Sequence, residues 1–179
     1  MVHSIKPLIE ERTKDFLSTD TIFHSDALKI PHVKHIVFPE IFQKNYLEIK
    51  KNFSSENFEV YLACKSTYSK SLIQKAKSEG LGIEVSSLNE LHLAQELGFE
   101  KIIAGGPKNA TYLSEAIKAH CIISVDSVFE LESIIASSSK AHVLLRISDP
   151  SAQSRNIAIK VSRFGISKRD LDLVLEKIK

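Results

Sequence analysis

The sequence predicts an α/β protein, part of a (β/α)8 TIM barrel preceded by a helical N-terminal lead-in. Three observations point there. From Phe58 onward, short apolar runs alternate with amphipathic stretches at a period of roughly twenty residues. The runs VYLAC, GIEV, KIIA, CIISV and VLLRI are short, and most are rich in β-branched residues, as buried strands are. Glycine, serine or proline punctuates nearly every transition. Strands alternating with helices argue for βαβ units and a parallel sheet. An open doubly wound sheet and a barrel both fit, and the short, even period suits the barrel. A complete barrel needs about 250 residues, so these 179 residues are expected to supply only part of one. Strand edges left open would be a liability unless another chain or segment covered them.

The elements follow in order. Pro7 to Leu17 is a candidate short helix, and Thr19 to Lys34 has no clear period. His24, His32 and His35 lie in this polar stretch and read as solvent-facing, so no metal site is expected. Ile36-Val37-Phe38 is strand-like and is stopped by Pro39. Glu40 to Phe53 has helical spacing at Ile41, Phe42, Leu47, Ile49 and Phe53, and Ser54 to Asn57 is a turn.

The first buried strand, Val60 to Cys64, ends at Lys65, and a helix from Ser69 to Glu79 follows, with Leu72, Ile73 and Ala76 on one face. Gly80 stands at its C-cap. The second strand is Gly82 to Val85. Ser87 caps the next helix, with Glu90 three residues on as in a capping box, and Gly98 stops it. The third strand is Lys101 to Ala104, the helix after it Thr111 to Ala119, and the fourth strand Cys121 to Val125. A helix from Val128 to Ala136, a fifth strand from Val143 to Ile147 and a last helix from Lys168 complete the pattern. Residues 1–37 read as the lead-in and 38–179 as the first part of the barrel.

Composition narrows the function. The formal net charge is +2, 43% of residues are hydrophobic and tryptophan is absent. This is an ordinary globular balance, with no basic surface for nucleic acid or membrane and no aromatic platform for single strands. No apolar run reaches the length of a membrane span. MVHSIKPLIEERTKDF is too charged for a secretory signal. Cys64 and Cys121 form no CxxC pair, so neither a disulfide framework nor a zinc site is indicated, and a cytoplasmic setting is expected.

In such folds chemistry gathers at the C-terminal ends of the strands. Those ends carry Lys65, Glu84 with Ser86 and Ser87, Gly105-Gly106, Asp126 and Arg146. Each has a purely structural explanation. Lys65 can mark the strand's exit into water, Glu84 can face solvent, the glycines can form a turn, and Asp126-Ser127 can cap a helix. The glycines lack the GxxxxGK[ST] spacing of a phosphate-binding loop. The chemical alternative for Lys65 is a desolvated, nucleophilic lysine that binds a carbonyl. Arg146 interrupts an apolar strand, and a buried arginine there calls for an anion or an acceptor-rich partner.

These motifs, in this order, resemble the N-terminal barrel of the fold-type III pyridoxal-phosphate enzymes. That family includes the ornithine, arginine and diaminopimelate decarboxylases and, more distantly, alanine racemase. Tyr61-Leu62-Ala63-Cys64-Lys65 resembles the family's Tyr-Ala-Val-Lys. Gly82-Ile83-Glu84-Val85-Ser86-Ser87 with Asn89-Glu90-Leu91 resembles Gly-x-Asp-Val-x-Ser-x-x-Glu-Leu. Gly106-Pro107-Lys108 is similar to the loop after the family's third strand. Val125-Asp126-Ser127 with Glu130-Leu131, Leu145-Arg146-Ile147, and Arg163-Phe164-Gly165-Ile166 match further elements. Together they cover residues 38 to 179.

The resemblance implies pyridoxal 5'-phosphate as cofactor, bound as a Schiff base to Lys65. Glu84 would stand near the cofactor where the family usually has aspartate, and Arg146 would contact its ring or an oxygen. The implied reaction of the complete enzyme is decarboxylation of a basic or bifunctional amino acid. Ser66-Thr67 departs from the usual Ala/Cys-Asn after the lysine, which sets the chain apart from the familiar decarboxylases. In the family, a histidine that stacks on the ring, a glycine-rich phosphate loop, the acidic partner of the pyridine nitrogen and a β-rich domain all come later. The chain is therefore expected to be truncated, lacking the C-terminal barrel and that β domain. Completion by a homodimer or by another chain or segment is the implied assembly. The alternatives are a racemase, a pyridoxal-phosphate-binding protein without strong catalysis, or a truncated non-catalytic partner that regulates a decarboxylase.

Overall fold

A computed structural model describes residues 37–53, 57–137, 140–148 and 164–178. The expected helix at Pro7 to Leu17, the three histidines His24, His32 and His35, Ile36, and Arg163 lie outside these residues.

The described residues fall into two compact units. One holds 37–53, 57–58 and 69–75. Its main element is helix α1, Pro39–Asn52, with proline in the first turn and Phe38 at the N-cap position. Proline there sets a helical φ where no N–H is needed. Val37 and Phe38 accordingly lead into the helix and form no strand. The Phe53 ring packs at a tilt on Phe58, with centroids 5.4 Å apart.

The other unit holds 59–68 and the described residues from 76 onward, and it carries the sheet. Strand β1, Tyr61–Ala63, runs into a three-ten turn, Cys64–Ser66. Helix α2, Lys70–Ser78, comes next in the chain, with residues 70–75 assigned to the first unit and 76–78 to this one, and then β2, Gly82–Val85, and α3, Leu88–Glu96. Next come β3, Ile102–Ala104, α4, Ala110–Lys118, and β4, Ile122–Val125. Helix α5, Val128–Ser137, precedes β5, Val143–Leu145. The short strands β6, Ile147–Ser148, and β7, Ile166–Ser167, lead to α6, Leu171–Ile178.

From Glu40 onward, the expected strands and helices thus occur within a few residues of their expected bounds, with one change of substance. The fifth strand breaks at Arg146. The Arg146 N–H donates to Val125 O of β4, while its carbonyl accepts from Ile166 N of β7. The chain exchanges one neighbour for the next at this residue.

All pairings are parallel, and the main sheet runs β1-β2-β3-β4-β5 in sequence order. A doubly wound sheet reverses its strand order at a switch point. Sequential order without reversal is the order of a (β/α) barrel.

The two faces of the sheet differ. Ile83, Val85, Ala104, Ile123 and Val125 are fully buried. Ile123 and Val125 join Leu113, Leu131, Ile134, Ile166 and Val174 in one cluster of strand and helix residues. Each such side chain contributes about 1.5–3 kcal/mol on burial. The alternate positions Glu84, Ile103, Ile122 and Ser124 are half-buried, and Leu144 is exposed. Strand β1, expected to be buried, is half-buried along its length.

Candidate functional site

The C-terminal ends of the strands form the site. After β1 the three-ten turn fixes Lys65: Ser66 Oγ donates to Ala63 O at 2.6 Å, and Thr67 N–H donates to Cys64 O at 3.1 Å. Cys64 is fully buried and anchors the turn, and burial, together with the Glu90 charge, raises its thiol pKa. Lys65, next in the chain, is turned outward, its side chain 62% exposed. Of the two readings of Lys65, its exposure fits the strand's exit into water and not the desolvated lysine. The turn lifts it off the strand before its stem can be covered.

The neighbouring strand supplies Glu84. Register places Ala63 opposite Glu84, and Lys65 Nζ lies 3.9 Å from Glu84 Oε1. Beyond Glu84, the end of β3 is bare glycine. A Cβ on Gly105 would stand 2.6 Å from Glu84 Oε1, so only glycine leaves the carboxylate its place. The Gly105 N–H donates to Val85 O at 2.7 Å, and the Tyr112 hydroxyl donates to the same carbonyl at 2.9 Å. Burial pushes the Tyr112 phenol pKa well up, so it stays a donor.

On the far side of β3 stands a second pair. Arg146 Nη1 donates to Asp126 Oδ1 at 3.1 Å. Asp126 is 8% exposed at its side chain, Arg146 43%. The guanidinium also stacks 5.0 Å from the Phe164 ring centroid. Arg146 is thus not the buried arginine that its apolar strand implied. It sits where the strand changes partners, on the less covered face, and its charge meets both Asp126 and water.

The structure accordingly gathers the sequence candidates into two ion pairs on one rim, Lys65–Glu84 and Arg146–Asp126, with the glycines of β3 between them. The pairs do not touch each other. As a donor set they suit an aldehyde that carries anionic groups. Lys65 offers an accessible primary amine, and Arg146 keeps part of its guanidinium open to solvent.

Two repeated devices hold the rim. Ser87 Oγ accepts from Glu90 N–H, while Glu90 Oε2 accepts from Ser86 N–H at 2.7 Å. Ser127 Oγ accepts from Glu130 N–H, while Glu130 Oε2 accepts from Asp126 N–H at 2.8 Å. Both are capping boxes whose glutamate reaches one residue further back than usual. Sequence reasoning singled out the first box and missed what the second adds. Glu130 also binds Lys108, a lysine with no exposed side-chain surface. The visible signal was a lysine following Gly-Gly-Pro at a strand end, where a solvated lysine needs no such fixed lead-in.

Among the described residues no helix is long and apolar enough to cross a membrane.

A family model described as "Pyridoxal-dependent decarboxylase, pyridoxal binding domain" matches residues 40–179. An uncharacterized protein, y4yA, of Sinorhizobium fredii (strain NBRC 101917 / NGR234) is 32% identical over 174 residues, 92% of this chain and 36% of its own length. The L-glutamyl-[BtrI acyl-carrier protein] decarboxylase of Niallia circulans is 30% identical over 152 residues, 78% of this chain and 35% of its own. The chain thus spans about a third of the length of these curated relatives. In three dimensions it resembles the diaminopimelate decarboxylase of M. jannaschii, with a TM-score of 0.66 at 23% identity over 77% of this chain and 37% of that one. At that identity the likeness establishes the fold alone.

Proposed function

The chain belongs to the pyridoxal-binding domain of the pyridoxal-dependent decarboxylases, and from that premise we propose that its rim binds pyridoxal 5'-phosphate through Lys65 for decarboxylation of an amino acid. Residues 38–179 are read as the first part of the barrel and 1–37 as its lead-in. Bound pyridoxal phosphate supplies an electron sink for the bond that breaks at the substrate's Cα.

The chain's own residues do the rest. Lys65 would hold the cofactor's aldehyde group through its accessible primary amine, a place it would share with the substrate's amine. Glu84, 3.9 Å away, offsets the positive charge on that nitrogen. Arg146, braced by Asp126, would hold an anionic oxygen of the cofactor. A basic or bifunctional amino acid is the proposed substrate. A homodimer, or another chain or segment, is the proposed completion of the site. The supporting observation is the Lys65–Glu84 pair: an exposed amine beside a carboxylate at the end of β1, in a motif that resembles the family's Tyr-Ala-Val-Lys.

The test is a pyridoxal phosphate titration of the chain, followed by borohydride reduction and peptide mass spectrometry. A visible absorption band and one adduct on Lys65, lost in Lys65→Ala, is the expected result. No adduct from a folded chain, or labelling scattered over surface lysines, would sink the reading.

A further inference from the structure

A buried ion pair that the proposed reaction does not use ties the loops after β3 and β4 together. Lys108 lies between β3 and α4, its side chain entirely covered. Its Nζ donates to Gly106 O and Ser124 O, each at 2.7 Å, and to Glu130 Oε1 at 3.2 Å. Three ammonium protons thus meet three acceptors. Glu130, on α5, is 6% exposed and also accepts the Lys108 N–H at 3.2 Å. Its other oxygen accepts the Asp126 N–H at 2.8 Å.

Asp126 in turn holds Arg146 Nη1 at 3.1 Å. Four charged residues, Lys108, Glu130, Asp126 and Arg146, are therefore linked from the covered interior to the rim, with formal sum zero, Glu130 reaching Asp126 through its main-chain N–H. Buried ion pairs add little net stability compared with well-packed apolar residues. What this one adds is position: it fixes the main chain from which the Asp126 carboxylate springs.

We propose that Lys108 is a positioning residue. Through Glu130 it fixes Asp126, and through Asp126 it sets the Arg146 guanidinium for the anionic oxygen of the cofactor. The inference rests on the proposed function above. Without the Lys108 charge, Glu130 is left buried with no cation beside it. The cost of that unpaired charge drives the carboxylate toward water and releases the Asp126 N–H.

The test is a set of pyridoxal phosphate titrations with melting midpoints recorded in parallel. Lys108→Met is the direct variant. Lys108→Met/Glu130→Gln removes both charges at similar volume, so that the fold survives if the single change does not. A glutamine presents one acceptor oxygen to two N–H donors, those of residue 108 and Asp126, so the simultaneous hold that the carboxylate has on both is lost. The expected result for the double variant is a parent-like melting midpoint and about tenfold weaker cofactor binding, with Lys65 still the labelled residue at saturation. Asp126→Asn weakens binding by about the same factor, and adding it to the double variant brings no further loss, because both act through one contact. Lys108→Arg restores part of the affinity.

A purely structural role would lower the midpoint and leave the affinity of the folded chain alone. Parent-like affinity in the folded double variant, or losses that simply multiply with Asp126→Asn, overturn the relay. Absence of a Lys65 adduct in the parent overturns the underlying reading instead, and that outcome is visible before any variant is compared.

Discussion

Lys65 Nζ stands 3.9 Å from Glu84 Oε1, and strand register is what brings them together. Ala63 lies opposite Glu84 in the β1–β2 ladder, and the three-ten turn carries the chain two residues further to the amine. The carboxylate has its room only because residue 105 lacks a side chain.

Gly105→Ala therefore displaces the Glu84 carboxylate. The clash is with the tip of a flexible side chain, so stability falls by less than about 1 kcal/mol. Labelling of Lys65 by pyridoxal phosphate slows several-fold. Urea unfolding and the rate of adduct formation measure the two effects separately. Unchanged labelling would mean that Glu84 does not act on Lys65.

Gly165→Ala is harsher. Gly165 has φ +92°, and a Cβ there would lie 2.9 Å from Arg146 O and 3.2 Å from Ser148 N, both backbone atoms that cannot swing away. The expected loss is about 1–3 kcal/mol. It appears as a fall of several degrees in the melting midpoint. A parent-like melt would show that the junction of β6 and β7 adapts. The Phe-Gly-Ile element of the sequence thus has a steric cause.

The serine caps are separable. Ser87→Ala and Ser127→Ala each remove an oxygen that receives a helix N–H. Each is expected to lower stability by about 1 kcal/mol in denaturant unfolding. Of the two, only Ser127→Ala is expected to weaken cofactor binding, because Glu130 belongs to the Asp126 assembly. Equal effects on binding would argue against that distinction.

Cys121 sets an alkaline limit. Burial pushes its thiol up to about 11, from 9.0 when unhindered. The unfolded chain therefore loses this proton first. Stability from this group is full below pH 9 and declines as pH rises through about 11. The total is at most roughly 2–3 kcal/mol. Subtracting the profile of Cys121→Ala from that of the parent isolates it. A difference that stays flat between pH 8 and about 11 would contradict the assignment.

Most of the architecture was legible because each βα unit announces itself locally. The Gly82–Val85 strand and the Ser87 cap fall where the spacing puts them. What local pattern could not show was which side chains are covered. Arg146 sits in an apolar run and reads as buried, and Lys65 can be read either way, yet a change of strand partner and a three-ten turn leave both open to solvent. Lys108 reads in the sequence only as part of a loop, and its burial comes from three acceptors in three different segments. Burial of that kind depends on which loops meet, and no window of sequence contains it.

The break at Arg146 has a consequence for recognition. The residue's N–H is committed to β4 and its carbonyl to β7, so the main chain at the root of the guanidinium is immobilised as the sheet forms. Only the terminal torsions of the side chain remain to be ordered when an anion arrives, and Asp126 and Phe164 already restrict those. The entropic penalty of fixing a cation is thus met largely during folding, and less of it is charged against the ligand.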